Sequence, residues 1–471
     1  MITMTLQEVA EASGGTVAGP GTATVTGDVV ADSRAVGAGS LFTAFDGSRV
    51  DGHDFVAPAL AAGAAGALVT RPVAGVDPGA LVVVDDVAAA LGRLARHVLA
   101  ELRRRRPATD PLRVVGVTGS YGKTTTKDLL AGLLAPLGER IAPPGSFNNE
   151  IGLPLTVLRA GPDTATLILE MGADRVGNLE YLTSIAPPDV AVVLAVGRAH
   201  LGEFGGIENV ARAKAELVAG MVDGGTAVLN ADDARVRAMA RGARSVRTFG
   251  RSADADVRAE DVRTDDGGHA TFRLVTATGA AQVTLALVGE HHVTNALAAA
   301  TVALDLGLDL DTVATALASS GPASPHRMAV HDRADGVRLI DDAYNANPDS
   351  VRAALRSLAT LRTGGRSIAV LGEMLELGAD SAAEHAALGA ETAGVDLLVA
   401  VGAGTAPLAQ GAREAGTQAV EVPDVDAAGE LLEARLRPGD TVLLKGSNGA
   451  GIWRLADRLT RGDEGRGGVA P

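Results

Sequence analysis

Short apolar runs broken by Gly, Asp and Pro turns recur along this 471-residue chain. They alternate with longer stretches whose apolar positions fall three or four residues apart, the spacing of a helix that buries one face. Over residues 1–107 the runs VTGDVV, GSLFTAF, GALVT and ALVVVDD read as strands. The segment VAAALGRLARHVLAELRRRR then reads as a helix, stopped by its basic end and by Pro107. Arg103 to Arg106 are expected to be a solvated helix end that complements the helix dipole, with an anion site as the alternative.

After that boundary comes LRVVGVTG, then a Gly/Ser turn, then KTTTKDLLAGLLAPLG, which predicts strand, loop and helix in succession. Further strands are expected at TLILEMG, DVAVVLAVG and TAVLNADD, separated by helical stretches, as in a parallel sheet with helices packed on it. Residues 246–288 are less regular, and HHVTNALAAATVALDLG predicts a helix before the Pro-bearing connection GPASPHRM. From 326 onward VRLIDD, RSIAVLGE, LLVAVG, QAVEV and TVLLKGS alternate with helices, the pattern of a doubly wound sheet. Ligands of such sheets sit beyond the carboxyl ends of the strands, where Asp341, Asp342, Glu373 and Lys445 fall. The expectation is an α/β protein of three domains, 1–107, 108–325 and 326–471, in line with about 150 residues per domain.

Composition narrows the function. A net charge of -15 and 2% aromatic residues leave neither the basic field nor the stacking surface of a nucleic-acid binder. The opening MITMTLQEVAEASGG has no basic n-region, and the apolar runs fall short of the ~18 residues of a membrane span, so a cytoplasmic protein without a span is expected. The absence of cysteine removes disulfides, thiolate catalysis and Cys-based zinc sites. A monomer is the default expectation. Of 42 basic residues only Lys123, Lys127, Lys214 and Lys445 are lysines. Arginine stays protonated, whereas lysine can lose its charge or serve as a compact phosphate-binding cation, so these four become candidates for chemistry.

The strongest local signal is GVTGSYGKTTT, Gly116 to Thr126. Its glycines would let backbone N–H groups approach phosphate oxygens at a helix N-terminus, Lys123 would reach the terminal phosphates, and Thr124 could ligate magnesium. The strict P-loop spacing is missed, because Val117 stands where its first glycine belongs. The loop GxxGxxGKTTTK resembles that of the Mur ligases and folylpolyglutamate synthetases. SFNNEIGLPLTVL, LEMGA, AHLGEFGG, ARAKAELV, VLNADD, GEHHVTNALAA, DDAYNANPDS and LGEMLELG resemble, in order, the D-alanyl-D-alanine-adding branch of the Mur ligases.

The resemblance implies a small N-terminal α/β UDP-binding domain, a central P-loop-type parallel-sheet ATPase domain and a C-terminal Rossmann-like domain. It implies ATP held by Gly119, Ser120, Tyr121, Gly122, Lys123, Thr124 and Thr125, with Asn295 on the adenine side, Arg327 on phosphate, Asp342 on ribose and Tyr344 packed nearby. Thr124, Glu170, His200 and Lys214 would hold Mg2+, with Lys214 as a CO2-derived carbamate whose oxygens suit a cation that an ammonium would repel. Lys123, Glu170, His200 and Lys214 would be catalytic. Ser33, Arg34 and Thr43 would contact UDP, and Asn148 and Asn149 the muramoyl side. The implied substrates are UDP-N-acetylmuramoyl-tripeptide and D-alanyl-D-alanine, joined through an acyl phosphate.

Taken singly, these residues have plainer readings: a solvated strand end for Glu170, a satisfied polar residue for His200, an exposed lysine for Lys214 and a helix cap for Asn295. Arg327 could be a surface ion pair, Asp342 a turn, and the two asparagines loop formers. Asn448 in KGSNGAGIW departs from the relatives' arginine and leaves the amine substrate less determined; Tyr121 is a milder departure. A ligase recruited to a specialised peptide, one adding a single amino acid, and a non-catalytic nucleotide-binding module are the competing readings.

Overall fold

Among the described residues, three larger sheets in chain order organise the molecule, with a two-stranded antiparallel pair, Met4–Thr5 and Thr24–Val25, beside the first. The structure is a computed structural model that describes residues 1–47, 50–143, 145–198 and 201–464. The first sheet runs in the order Thr16–Val17, Leu81–Val83, Gly66–Val69, Leu41–Thr43 and Val29–Val30, parallel except for its first pair. Its closing helix, Val87–Arg105, starts where the Asp86 carboxylate accepts the Ala89 N–H at 2.9 Å. Val87, Ala90, Leu91, Leu94, Val98, Leu99 and Leu102 form its buried stripe.

That stripe belongs to a core continuous with one face of the central sheet, through Val114, Leu167 and Leu169. The basic end of the helix is correspondingly not all solvated. Arg103 donates to the Pro187 carbonyl at 2.9 Å and to Asp189 at 2.7 Å, while Arg106 donates to the carbonyls of Pro162 and Thr164 at 3.2 and 3.0 Å. Arg104 and Arg105 stay exposed and pair with Glu101. The alternation of roles follows from helical spacing: residues three apart share a face, so Arg103 and Arg106 point at the next domain together.

The central sheet has nine strands, ordered Gly279–Val288, His269–Thr276, Val257–Thr264, Ser245–Gly250, Thr226–Asn230, Val190–Val193, Arg113–Thr118, Thr164–Glu170 and Glu139–Ile141. The strands up to Ser245–Gly250 are parallel, as expected. Residues 257–288 differ from a wholly parallel sheet. They form an antiparallel meander added to one edge, where buried Ala270, Phe272 and Leu274 alternate with the more exposed His269, Thr271 and Arg273. The helix His292–Asp305, alanine-rich and mostly apolar, is largely buried between the meander and Lys123–Leu133.

The third sheet is ordered Ala329–Asp332, Arg338–Asp341, Thr441–Lys445, Ser367–Gly372, Leu397–Val401 and Gln418–Val422, antiparallel only at its first pair. Separate apolar cores cover its two faces, the signature of a doubly wound domain. Among the described residues no helix is long and apolar enough to cross a membrane.

Candidate active site

A cleft of about 1560 Å³ opens at the carboxyl ends of the central strands and is closed on one side by the C-terminal domain. Its floor is the turn between the strand Arg113–Thr118 and the helix Lys123–Leu133. Only glycine fits at Gly122: its φ is +83°, and a Cβ would lie 2.4 Å from Asn295 Oδ1. At Gly119 a Cβ would lie 2.8 Å from that of Leu194. The missing P-loop glycine at Val117 is explained by this geometry, since Val117 is still inside the strand and pairs with Glu170 and Val192.

Glu170 ends its strand and is almost wholly buried beside the turn. Three side chains hold its carboxylate: Thr124 donates to Oε2 at 2.9 Å, and Ser146 and Asn148 donate to Oε1 at 2.5 and 2.8 Å. Carboxylate oxygens each accept more than one bond, so capacity remains for a cation. Asn148 therefore spends its amide on Glu170, and Asn149 Oδ1 caps the following helix by accepting the Gly152 N–H at 2.9 Å. Both still line the cleft. The Lys123 ammonium donates to the Gly119 carbonyl at 2.8 Å, and burial lowers its pKa against the raising effect of Glu170, with Arg327 adding to the lowering.

Lys214, on the helix Ile207–Ala219, is buried at 3% exposure and makes no hydrogen bond or ion pair with the described residues. Burial, reinforced by Lys123, lowers its pKa from 10.5 to about 7. An exposed lysine on an alanine-rich helix would show neither property. His200 lies outside the described residues.

The C-terminal domain supplies the opposite wall. Arg327 donates to Thr124 Oγ1 at 2.9 Å across the domain boundary, and its guanidinium lies 4.2 Å from the centre of the Tyr344 ring. Its Nε makes no hydrogen bond with described residues. Asp342 Oδ2 accepts from Lys445 at 2.6 Å, while Asn347 caps the helix Pro348–Thr360 and reaches the Ser120 carbonyl at 3.4 Å. Asn448 lines the cleft and donates to the Tyr344 carbonyl at 3.4 Å.

The structure thus brings together the turn residues 119–125 with Asn148, Asn149, Glu170, Lys214, Asn295, Arg327, Asp342 and Tyr344. It does not bring Ser33, Arg34 and Thr43 to this cleft. Arg34 is exposed and paired with Asp32 at 2.7 Å, beside the half-buried Ser33, and Thr43 is buried with its hydroxyl on the Val30 carbonyl at 3.1 Å.

Sequence reasoning missed three contributors. Ser146 was read only as part of a motif. Asn347 was read as part of DDAYNANPDS, although an Asn before a Pro is a helix-start signal. His292 was passed over in GEHHVTN, yet its ring is buried in the cleft with Nδ1 3.2 Å from Asn295 Nδ2 and Nε2 unpartnered. Burial holds its pKa well below the usual histidine value, so the ring is neutral. With Nδ1 accepting from the amide, Nε2 carries the proton, and this buried donor meets no acceptor among the described residues.

A cleft at the strand ends, lined by a glycine-spaced turn, a buried carboxylate and a buried lysine, suits a nucleotide-driven transferase or ligase. The Mur ligase middle domain matches residues 117–303, the Mur ligase glutamate ligase domain 326–448, and the Mur ligase family catalytic domain 28–98. Among known relatives, the UDP-N-acetylmuramoyl-tripeptide--D-alanyl-D-alanine ligase of Mycobacterium bovis is 48% identical over 98% of this chain and 99% of its own. That of Escherichia coli is 37% identical over 85% and 86%. The crystal structure of MurF from Acinetobacter baumannii superposes with a TM-score of 0.85 at 32% identity, over 98% of this chain and 99% of its own. The Thermotoga maritima MurF ligase in complex with ADP gives 0.79 at 31%, over 94% and 99%. The chain belongs to the Mur ligase family, whose members are ATP-dependent ligases that form carbon–nitrogen bonds.

Proposed function

We propose that this protein joins D-alanyl-D-alanine to UDP-N-acetylmuramoyl-tripeptide in peptidoglycan synthesis, using ATP. The reading rests on relatives carrying that name at up to 48% identity over nearly the full chain, together with one carrying observation in the structure. Glu170, Thr124, Lys123 and Lys214, which has no partner among the described residues, line one cleft at the end of a glycine-spaced turn, where a triphosphate would end. Residues 1–107 would bind the UDP substrate, 108–325 carry the ligase centre and 326–471 close over the nucleotide.

The donor set fits Mg2+: a carboxylate and a hydroxyl are already in contact through Glu170 and Thr124, both hard oxygen ligands. A buried amine with a pKa near 7 is largely neutral and nucleophilic, so Lys214 can add CO2 and present two further oxygens. Mg2+ bound there supplies neutralisation of the phosphate charge. His200 completes the set that the family resemblance implies.

Each step then uses groups of this chain. A terminal carboxylate oxygen of the tripeptide attacks the γ-phosphorus, the bond to ADP breaks, and Lys123 with the turn amides offsets the charge that develops. The amine nitrogen of the dipeptide attacks the acyl phosphate carbon, gives up a proton, and phosphate leaves with the former carboxylate oxygen. Arg327 grips the phosphates from the C-terminal side, Asp342 receives ribose hydroxyls on Oδ1, Tyr344 packs beside them, and Asn295 faces the rest of the nucleotide. Ser33, Arg34 and Thr43 would serve the distant uridine end, consistent with their separation from the cleft. Phosphate release measured while each substrate is omitted, and with a panel of amines, tests the assignment. Release that needs both the UDP-tripeptide and D-alanyl-D-alanine supports it, and release indifferent to the dipeptide rejects it.

A further inference from the structure

Of the four lysines, Lys123, Lys214 and Lys445 line the cleft, the last paired with Asp342, whereas Lys127 does not and has no task in the proposed reaction. It sits one turn beyond Lys123 on the same helix and is 2% exposed. Placing an ammonium there is costly unless it is both hydrogen-bonded and paired with a counter-charge, and here it is. Its Nζ donates to the Pro143 carbonyl at 2.6 Å and to the Gly145 carbonyl at 3.1 Å, and it pairs with Asp128 at 2.7 Å. The two carbonyls belong to the segment whose next residues, Ser146 and Asn148, hold Glu170 Oε1. Asp128 in turn accepts the Ser324 N–H at 3.1 Å, in the connection that leads to Arg327.

We infer that Lys127 is a positioning residue: it fixes the backbone at Pro143 and Gly145 so that Ser146 and Asn148 aim the Glu170 carboxylate at the cation. The inference rests on the reading that Glu170 binds Mg2+. Lys127 itself contacts neither nucleotide nor substrate. A neutral side chain of similar length removes the donors to the buried Pro143 and half-buried Gly145 carbonyls, and the segment carrying the Glu170 clamp loses its anchor.

The test is a Mg2+ titration of phosphate release by the full chain with ATP, UDP-tripeptide and D-alanyl-D-alanine, paired with direct binding of Mn2+ to the full chain followed by electron paramagnetic resonance, in which the half-saturating concentration is read without turnover. Lys127→Met is expected to raise the half-saturating Mg2+ concentration by about tenfold to a hundredfold, the effect of losing a group that orients a metal ligand. Lys127→Gln keeps one donor group and is expected to shift it less. Partial unfolding would lower the rate but leave that concentration unchanged, so the readout separates positioning from bulk stability. An unchanged half-saturation in either folded variant, or failure of both variants to fold, would overturn the inference. Glu170→Gln is the control for the underlying reading. If it leaves the Mg2+ response unchanged, the metal role of Glu170 fails; if it shifts the response and the Lys127 variants do not, only the role of Lys127 fails.

Discussion

Replacing Lys214 by Met separates the chemistry of the amine from its bulk. In the folded protein the amine has a pKa of about 7 against an ordinary 10.5, because it is buried and faces Lys123. At pH 7.4 roughly 70% of such a group is neutral, compared with roughly 0.1% of an ordinary lysine, so the population able to add CO2 rises several hundredfold. The same displacement is a stability cost. The unfolded chain binds a proton that the folded chain does not between pH 7 and 10.5, so stability rises with pH across that window. The penalty is fully present below pH 7 and absent above 10.5, with an upper bound of about 5 kcal/mol. Lys214→Met should therefore be more stable than the parent in CO2-free buffer at pH 6, by urea or thermal unfolding. Its turnover should fall by at least about a hundredfold, close to 3 kcal/mol of lost transition-state stabilisation. The parent should show a carbamyl resonance with 13C-labelled bicarbonate that the variant lacks. Full turnover in Lys214→Met, or a parent whose activity ignores CO2 depletion, would refute the reasoning.

Other variants probe other contacts. Gly122→Ala places a Cβ 2.4 Å from Asn295 Oδ1 at a φ of +83°, and a left-handed alanine alone costs about 1–2 kcal/mol, so KM for ATP should rise at least about tenfold in steady-state assays. Arg103→Ala removes the 2.7 Å contact with the half-buried Asp189, which also accepts the Val114 N–H. A loss of about 1–2 kcal/mol is expected, seen as a lower thermal midpoint with KM for ATP unchanged.

How much of this was legible in the sequence depended on whether one residue type had one use. The parallel strands at 113–118, 164–170 and 190–193 were readable because both their faces are buried, which leaves unbroken apolar runs. The meander over 257–288 was not, since half-exposed strands such as Val257–Thr264 mix charge with apolar positions and blur the period. The glycine-spaced turn, Glu170, Lys214 and Arg327 were legible through motif and lysine scarcity, and they do meet in one cleft. Asn148 shows the limit. An amide suits a sugar hydroxyl or a carboxylate equally, and only the fold shows that it holds Glu170. Arg103 and Arg106 show another, because a basic helix end looks the same whether it meets water or the carbonyls of a neighbouring domain.

The central claim is that ATP activates the peptide acid as an acyl phosphate in the cleft above Lys123 and Glu170. Its most direct test is isotopic: tripeptide labelled with 18O in the terminal carboxylate is turned over with ATP and D-alanyl-D-alanine, and the released phosphate is analysed by mass. The account predicts one 18O transferred into each phosphate formed. Unlabelled phosphate accompanying amide formation would contradict it.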